Sequence, residues 1–152
     1  MSLESLYQEL ILEHSKRPHG KGLGSEEGRT ATSHQRNPVC GDEITLRVHL
    51  TDDGSAVREV TWEGVGCSIS QASASMLASL IDEDSGDNGL PKEQATALID
   101  GFREALRSRG KIPLDEEVFS DAAALSGVSK FSARVKCAML AWVALEDDLS
   151  RA

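Results

Sequence analysis

Three cysteines and one aspartate carry the chemistry that this sequence offers. Cys40 and Asp42 stand two apart in Asn37-Pro38-Val39-Cys40-Gly41-Asp42-Glu43. In an extended stretch, residues two apart point the same way, so one sulfur and one carboxylate oxygen can face a common ion. Gly41 leaves the space between them open, and Pro38 fixes the approach of the chain. Cys67 follows Gly64-Val65-Gly66 and precedes a run with helical periodicity. A helix N-terminus favours anions, and a thiolate forms most easily there. Cys137 has Arg134 and Lys136 as near neighbours, and cations also favour the ionised thiol. Cys40, Asp42, Cys67 and Cys137 together form a donor set suited to tetrahedral Zn²⁺. The competing reading is that of three unconnected thiols, each buried as a small hydrophobe, with Asp42 a turn residue. No C-x-x-C pair is present to decide between them.

Other chemistry finds little support. Gly66-Cys67-Ser68 is not a nucleophile elbow, so a serine hydrolase is not indicated. The acidic run Asp82-Glu83-Asp84-Ser85-Gly86-Asp87-Asn88-Gly89 places Gly86 where a calcium loop needs an oxygen ligand, and it reads as a solvated loop. His14, His19, His34 and His49 read as surface or helix-end residues, and none is assigned to the metal. With a net charge of −9 and no cluster of Lys and Arg, the chain is expected to bind neither nucleic acid nor a membrane surface. The first residues have no basic flank or apolar core of a signal peptide, so a cytoplasmic location with reduced thiols is expected.

The elements that must position these residues follow from periodicity. Leu3, Leu6, Tyr7, Leu10, Ile11 and His14 share one face of a helix over 3–15, with Ser2 as its expected N-cap. Pro18 and the glycines at 20, 22 and 24 then end it. Residues 29–36 are a weak strand candidate. Ile44 to Leu50 alternate strictly, which predicts a strand with Arg47 and His49 outward. After the turn Asp52-Asp53-Gly54-Ser55, a strand returns over 57–65 with Val60 and Trp62 inward, closing an antiparallel hairpin. A helix begins just after Cys67 and gives way to the acidic break at 82–89. Pro91 opens a further helix, and a shorter one is expected around 116–125. The last helix runs from about Ser129, with Phe131, Val135, Ala138, Met139, Trp142 and Val143 in its core stripe and Cys137 at the edge. A sheet made early, then helices, indicates the α+β class: about three antiparallel strands against five or so helices, in a single domain spanning 1–152.

The three cysteine motifs, Asn37-Pro38-Val39-Cys40-Gly41-Asp42, Gly64-Val65-Gly66-Cys67-Ser68-Ile69-Ser70 and Ala133-Arg134-Val135-Lys136-Cys137-Ala138-Met139-Leu140-Ala141-Trp142, resemble those of the IscU/NifU-like iron–sulfur assembly family. The opening Leu6-Tyr7-Gln8-Glu9-Leu10-Ile11-Leu12-Glu13-His14 and Pro18 match as well, so the resemblance covers essentially the whole chain. Lys136 stands where the IscU branch has histidine. The stretch between Cys67 and Cys137 is longer than in that branch, and the branch's proline-rich chaperone-recognition segment is absent. These features resemble the SufU branch, with 82–110 as its insertion. The resemblance implies an IscU/SufE-like fold and zinc held by Cys40, Asp42, Cys67 and Cys137. It further implies a SufS-type cysteine desulfurase as partner and a persulfide sulfur received on Cys40 beside Arg134, with a downstream iron–sulfur scaffold of the Suf system as the next acceptor. On this reading Cys40 leaves the metal to carry sulfur, while Asp42, Cys67 and Cys137 keep it. Two rival readings stay open: a scaffold that builds an iron–sulfur cluster on the same ligands, and a non-catalytic adaptor with structural zinc.

Overall fold

Alternation of apolar and polar residues lays down a four-stranded antiparallel sheet in the order β1-β2-β3-β4. The computed structural model describes residues 3–38 and 41–152, the first four of them by backbone alone. The strands are β1 (Thr30–Asn37), β2 (Asp42–Leu50), β3 (Ala56–Val65) and the two-residue β4 (Leu90–Pro91). β1 and β2 pair from Thr30 opposite His49 to Asn37 opposite Asp42, which sets Asp42 at the turn end of the hairpin. β4 is too short for any periodicity to announce it. It lies at the sheet edge, where the missing N–H of Pro91 costs no ladder bond.

Helices cover the face of the sheet that carries Leu46, Val48, Val60 and Trp62, all essentially inaccessible. They are α1 (Leu3–Lys16), α2 (Ser68–Ser85), α3 (Lys92–Arg107), the single turn α4 (Glu116–Phe119) and α5 (Ser132–Arg151), with a 3₁₀ stretch over Ser120–Lys130. α2 is central. It packs on α1, α5 and β3, and its small residues Ala72, Ser73, Ala74 and Ser75 permit the close approach. Phe102 of α3 stacks on Trp142 of α5 with ring centroids 3.9 Å apart, and Phe119 tilts against both. The Trp142 indole N–H donates to Ser73 Oγ at 3.0 Å, so the buried ring leaves no polar atom unmet. Among the described residues no helix is long and apolar enough to cross a membrane.

Four expectations need correction. Arg47 does point away from the helices, but it is buried. The segment after α1 folds over it, and its guanidinium donates to Thr32 Oγ1, Gly24 O and Glu26 Oε1. α2 continues through Asp82, Glu83 and Asp84 before Gly86 ends it, because helix propensity and the buried Ser85 outlast the acidic signal. The helix expected at 116–125 is one α-turn broken at Ser120, which takes a φ of 51°, followed by 3₁₀ structure. Phe131 is not core: it precedes α5 with an extended backbone and is 63% exposed. The expected N-cap Ser2 lies outside the described residues.

Candidate metal centre

Asp42 owes its position to the β1–β2 turn. Gly41 has a φ of 73°, and its N–H donates to Asn37 O at 2.9 Å. Only glycine adopts that backbone without strain, so the turn and the entry of Asp42 into β2 depend on it. The Asp42 side chain is buried, at 1% exposure. A buried carboxylate needs partners, and the first of them comes from another element. The backbone N–H of Cys67 donates to Asp42 Oδ1 at 2.9 Å. Cys67 is the N-cap of α2, with φ −70° and ψ 168°, and makes no side-chain cap of its own. Asp42 therefore satisfies an orphan amide at the start of α2 and sets a negative charge at the positive end of the helix. With Oδ1 committed to the amide, Oδ2 is the oxygen left to face the site, 3.9 Å from Cys67 Sγ.

Cys67 is half-buried and Cys137, from the second turn of α5, is fully buried. Ser70 Oγ donates to Cys67 O at 3.0 Å and lies 4.0 Å from Cys67 Sγ, bracing the first turn of α2. Cys137 Sγ lies 3.8 Å from Ala133 O, one turn back. One oxygen of Asp42 and the two sulfurs all fall within 4.8 Å of one another. Tetrahedral ligands around zinc are separated by less than this, so the three donors stand close to a first coordination shell. Two thiols and a carboxylate suit zinc, and thiolates equally suit iron. The convergence of two thiols with a buried carboxylate makes Asp42, Cys67 and Cys137 a candidate metal-binding group.

Two glycines make the room. A Cβ on Gly66 would stand 2.5 Å from Ser70 Oγ and 3.0 Å from Asp42 Cγ, and nearer still to Asp42 Oδ1. A Cβ on Gly64 would collide with the carbonyl oxygen of Glu43 on β2. In the sequence Gly66 is no more than the residue before Cys67. Its role in clearing space for Asp42 depends on a contact between β2 and the β3–α2 junction that no local pattern reports. Ser70 was likewise passed over, although a serine three residues into a helix is a common partner for the first-turn backbone.

Cys40 lies outside the described residues. Arg134 is exposed on α5 and lines, with Cys67, a groove that runs from the site along α1. Lys136 is exposed, while Cys137 beside it is buried. The four histidines are engaged elsewhere. His14 bridges Ser75 Oγ and Asp121, His19 meets Asp82, His34 lies between Thr45 and Glu43, and His49 contacts Ser25 O.

A family model described as the NifU-like N-terminal domain matches residues 6–138. The zinc-dependent sulfurtransferase SufU of Bacillus subtilis is 39% identical over 99% of this chain and 93% of its own length. The iron–sulfur cluster assembly scaffold protein IscU of Streptococcus pyogenes is 38% identical over 98% of this chain and 86% of its own length. Among solved structures, FiSufU of the thermophile Fervidobacterium islandicum AW-1 superposes with a TM-score of 0.74 at 30% identity, covering 97% of this chain and 99% of that one. Matches of this extent, on a fold whose turn, helix start and last helix bring Asp42, Cys67 and Cys137 together, make the chain a member of the NifU-like, IscU-related family of iron–sulfur cluster assembly proteins.

Proposed function

We propose that the protein is a zinc-dependent sulfurtransferase of iron–sulfur cluster biogenesis that accepts persulfide sulfur from a SufS-type cysteine desulfurase on Cys40. The observation that carries this reading is the convergence of Asp42, Cys67 and Cys137, from three elements distant in sequence, to within 4.8 Å. Zinc at this centre would keep its thiols ionised at neutral pH. Cys40, next to Gly41 and Asp42 in the chain, is the ligand that reacts. Its thiolate attacks the outer sulfur of the donor's persulfide, the donor's S–S bond breaks, and the donor cysteine leaves as a thiolate. Cys40 then carries the persulfide, and no outside oxidant or reductant is needed. Arg134, exposed in the groove at the site, meets the anionic sulfur as it arrives. Asp42, tied to the start of α2, Cys67 and the buried Cys137 are the ligands that stay.

The test incubates the full chain with a SufS-type desulfurase and cysteine and locates the added sulfur by peptide mass spectrometry. One extra sulfur on Cys40 is expected. Cys40→Ala should hold at least part of its zinc yet gain no sulfur and give no stimulation of the desulfurase. Full stimulation by Cys40→Ala would refute the assignment.

A second reading is favoured by one observation. A relative named as a scaffold is 38% identical, and this donor set suits iron as well as zinc. On that reading the same residues hold a nascent cluster. Anaerobic reconstitution would then give a brown protein that passes its cluster to an apo-acceptor. Lys136, which replaces a potential histidine ligand beside Cys137, favours sulfur transfer.

A further inference from the structure

The groove that opens beside Cys67 encloses about 810 Å³ between α1, the start of α2 and the 3₁₀ stretch leading into α5. Its apolar lining includes Ile11, Ile69, Val128 and, at the rim, Phe131. Its charged lining residues are Lys130 and Arg134, both cations, in a chain whose net charge is −9. No acidic residue lines the groove beside them, and neither makes an ion pair among the described residues. The Lys130 stem lies along Gly110, with Cγ and Cε each 3.1 Å from where a Cβ there would stand, so the aliphatic chain packs and the ammonium stays free.

Phe131 at the rim of the groove is 63% exposed and Val65, two residues before Cys67, is 65% exposed. Large apolar side chains open to solvent beside a reactive centre, with charge at the margin, mark a protein-binding surface more than a small-molecule pocket. A lining with two cations and no acidic residue sets the sign of what binds there.

We infer that this groove seats a segment of the sulfur donor that carries apolar side chains and at least one acidic group, placing the donor's persulfide beside the metal centre. The inference rests on the sulfurtransferase reading and names the occupant that such a reaction needs. The apolar side chains lie over Ile11, Ile69 and Phe131. The acidic group pairs with Lys130, which leaves Arg134 for the incoming persulfide.

The test measures binding of the zinc-loaded full chain to a SufS-type desulfurase by titration calorimetry at low and moderate salt. Phe131→Ser and Lys130→Glu alter exposed side chains, so both should fold and keep their zinc, which metal analysis checks. Each should weaken binding by about tenfold or more. Lys130→Glu should also flatten the salt dependence. Leu12→Ser is the control: Leu12 is 50% exposed on α1 but lies outside the groove, and this variant should bind as the wild type does. Unchanged affinity in both groove variants, with the wild type binding normally, would overturn the groove and leave the sulfurtransferase reading intact. An equal loss in Leu12→Ser would overturn it too, by showing that the effect is not local. A wild type that does not bind the desulfurase at all would remove the reading and the groove together.

Discussion

At the scale of the residue, the centre depends on a side chain that is missing. Gly66 supplies no ligand, yet a methyl group there would overlap Ser70 Oγ and the Asp42 carboxylate. The carboxylate is fixed by the Cys67 amide and is fully buried, so it cannot give way without losing that bond. Gly66→Ala is therefore expected to displace Asp42 while leaving every proposed ligand in the sequence. Zinc affinity, measured by competition with a chromogenic chelator, should fall by roughly 10–100-fold, the range for loss of a supporting contact at a metal site. Adding Ser70→Ala relieves one collision but not the one with Asp42, so the double variant should not recover. Recovery would mean that Ser70, not Asp42, is the group Gly66 accommodates. The sequence made Asp42 and Cys67 legible as donor types at suitable positions. It could not show that the backbone of one donor holds the side chain of the other.

At the scale of the element, α5 carries both a proposed ligand and an internal cost. Its last turns are tied to β1: Ser33 Oγ donates to Asp147 Oδ2 at 2.7 Å, and Arg151 Nη2 donates to Thr32 O at 2.6 Å. Asp148 lies between these ties, fully buried, with Oδ1 3.2 Å from Arg151 Nη2 and Oδ2 unmet among the described residues. Burial pushes its carboxyl up from 3.8 to about 7, against the pull of Arg151. Between those two values the folded chain holds a proton that the unfolded chain has released. Stability from this group is thus fully present below pH 4, declines as pH rises towards 7 and then levels off. Asp148→Asn removes the dependence. From pH 5 to pH 8 the wild type should lose on the order of 2–3 kcal/mol that the variant does not, read from urea unfolding of both. Equal changes in the two proteins would show that Asp148 is ionised in the fold. Elements built on regular alternation, β2, β3 and the apolar faces of α2, α3 and α5, were legible from the sequence because burial alone writes their pattern. β4, the 3₁₀ stretch and the exposure of Phe131 were not. Each is set by which neighbour arrives rather than by its own residues, and the same is true of the loop that buries Arg47.

At the scale of the molecule, the candidate metal centre lies at the margin of the main core. The stacked Phe102 and Trp142, Trp62 and the buried alanines of α2 belong to one continuous cluster, which reaches Ile44 and Ala138 beside the proposed ligands. The centre joins three ends: the start of β2, the start of α2 and the second turn of α5. A joint of this kind adds stability by mass action without being a condition of folding. With free zinc at about 100 times the dissociation constant, that addition is roughly 2.7 kcal/mol, or a shift in Tm of about 5–10 °C for a chain of this length. Chelation should therefore lower Tm by that amount while the far-UV circular dichroism and a cooperative transition persist. The cost should fall at the joined ends, with faster amide exchange at Cys67 and Ser70 and little change at Leu77 or Trp142, which belong to the core. A structural zinc that folds the protein predicts the opposite, namely loss of the transition and of protection throughout. Hydrogen exchange of the zinc-loaded and chelated forms distinguishes the two. Protection lost evenly from β2 to α5 would sink the view that this centre is poised to release a ligand rather than to hold the fold.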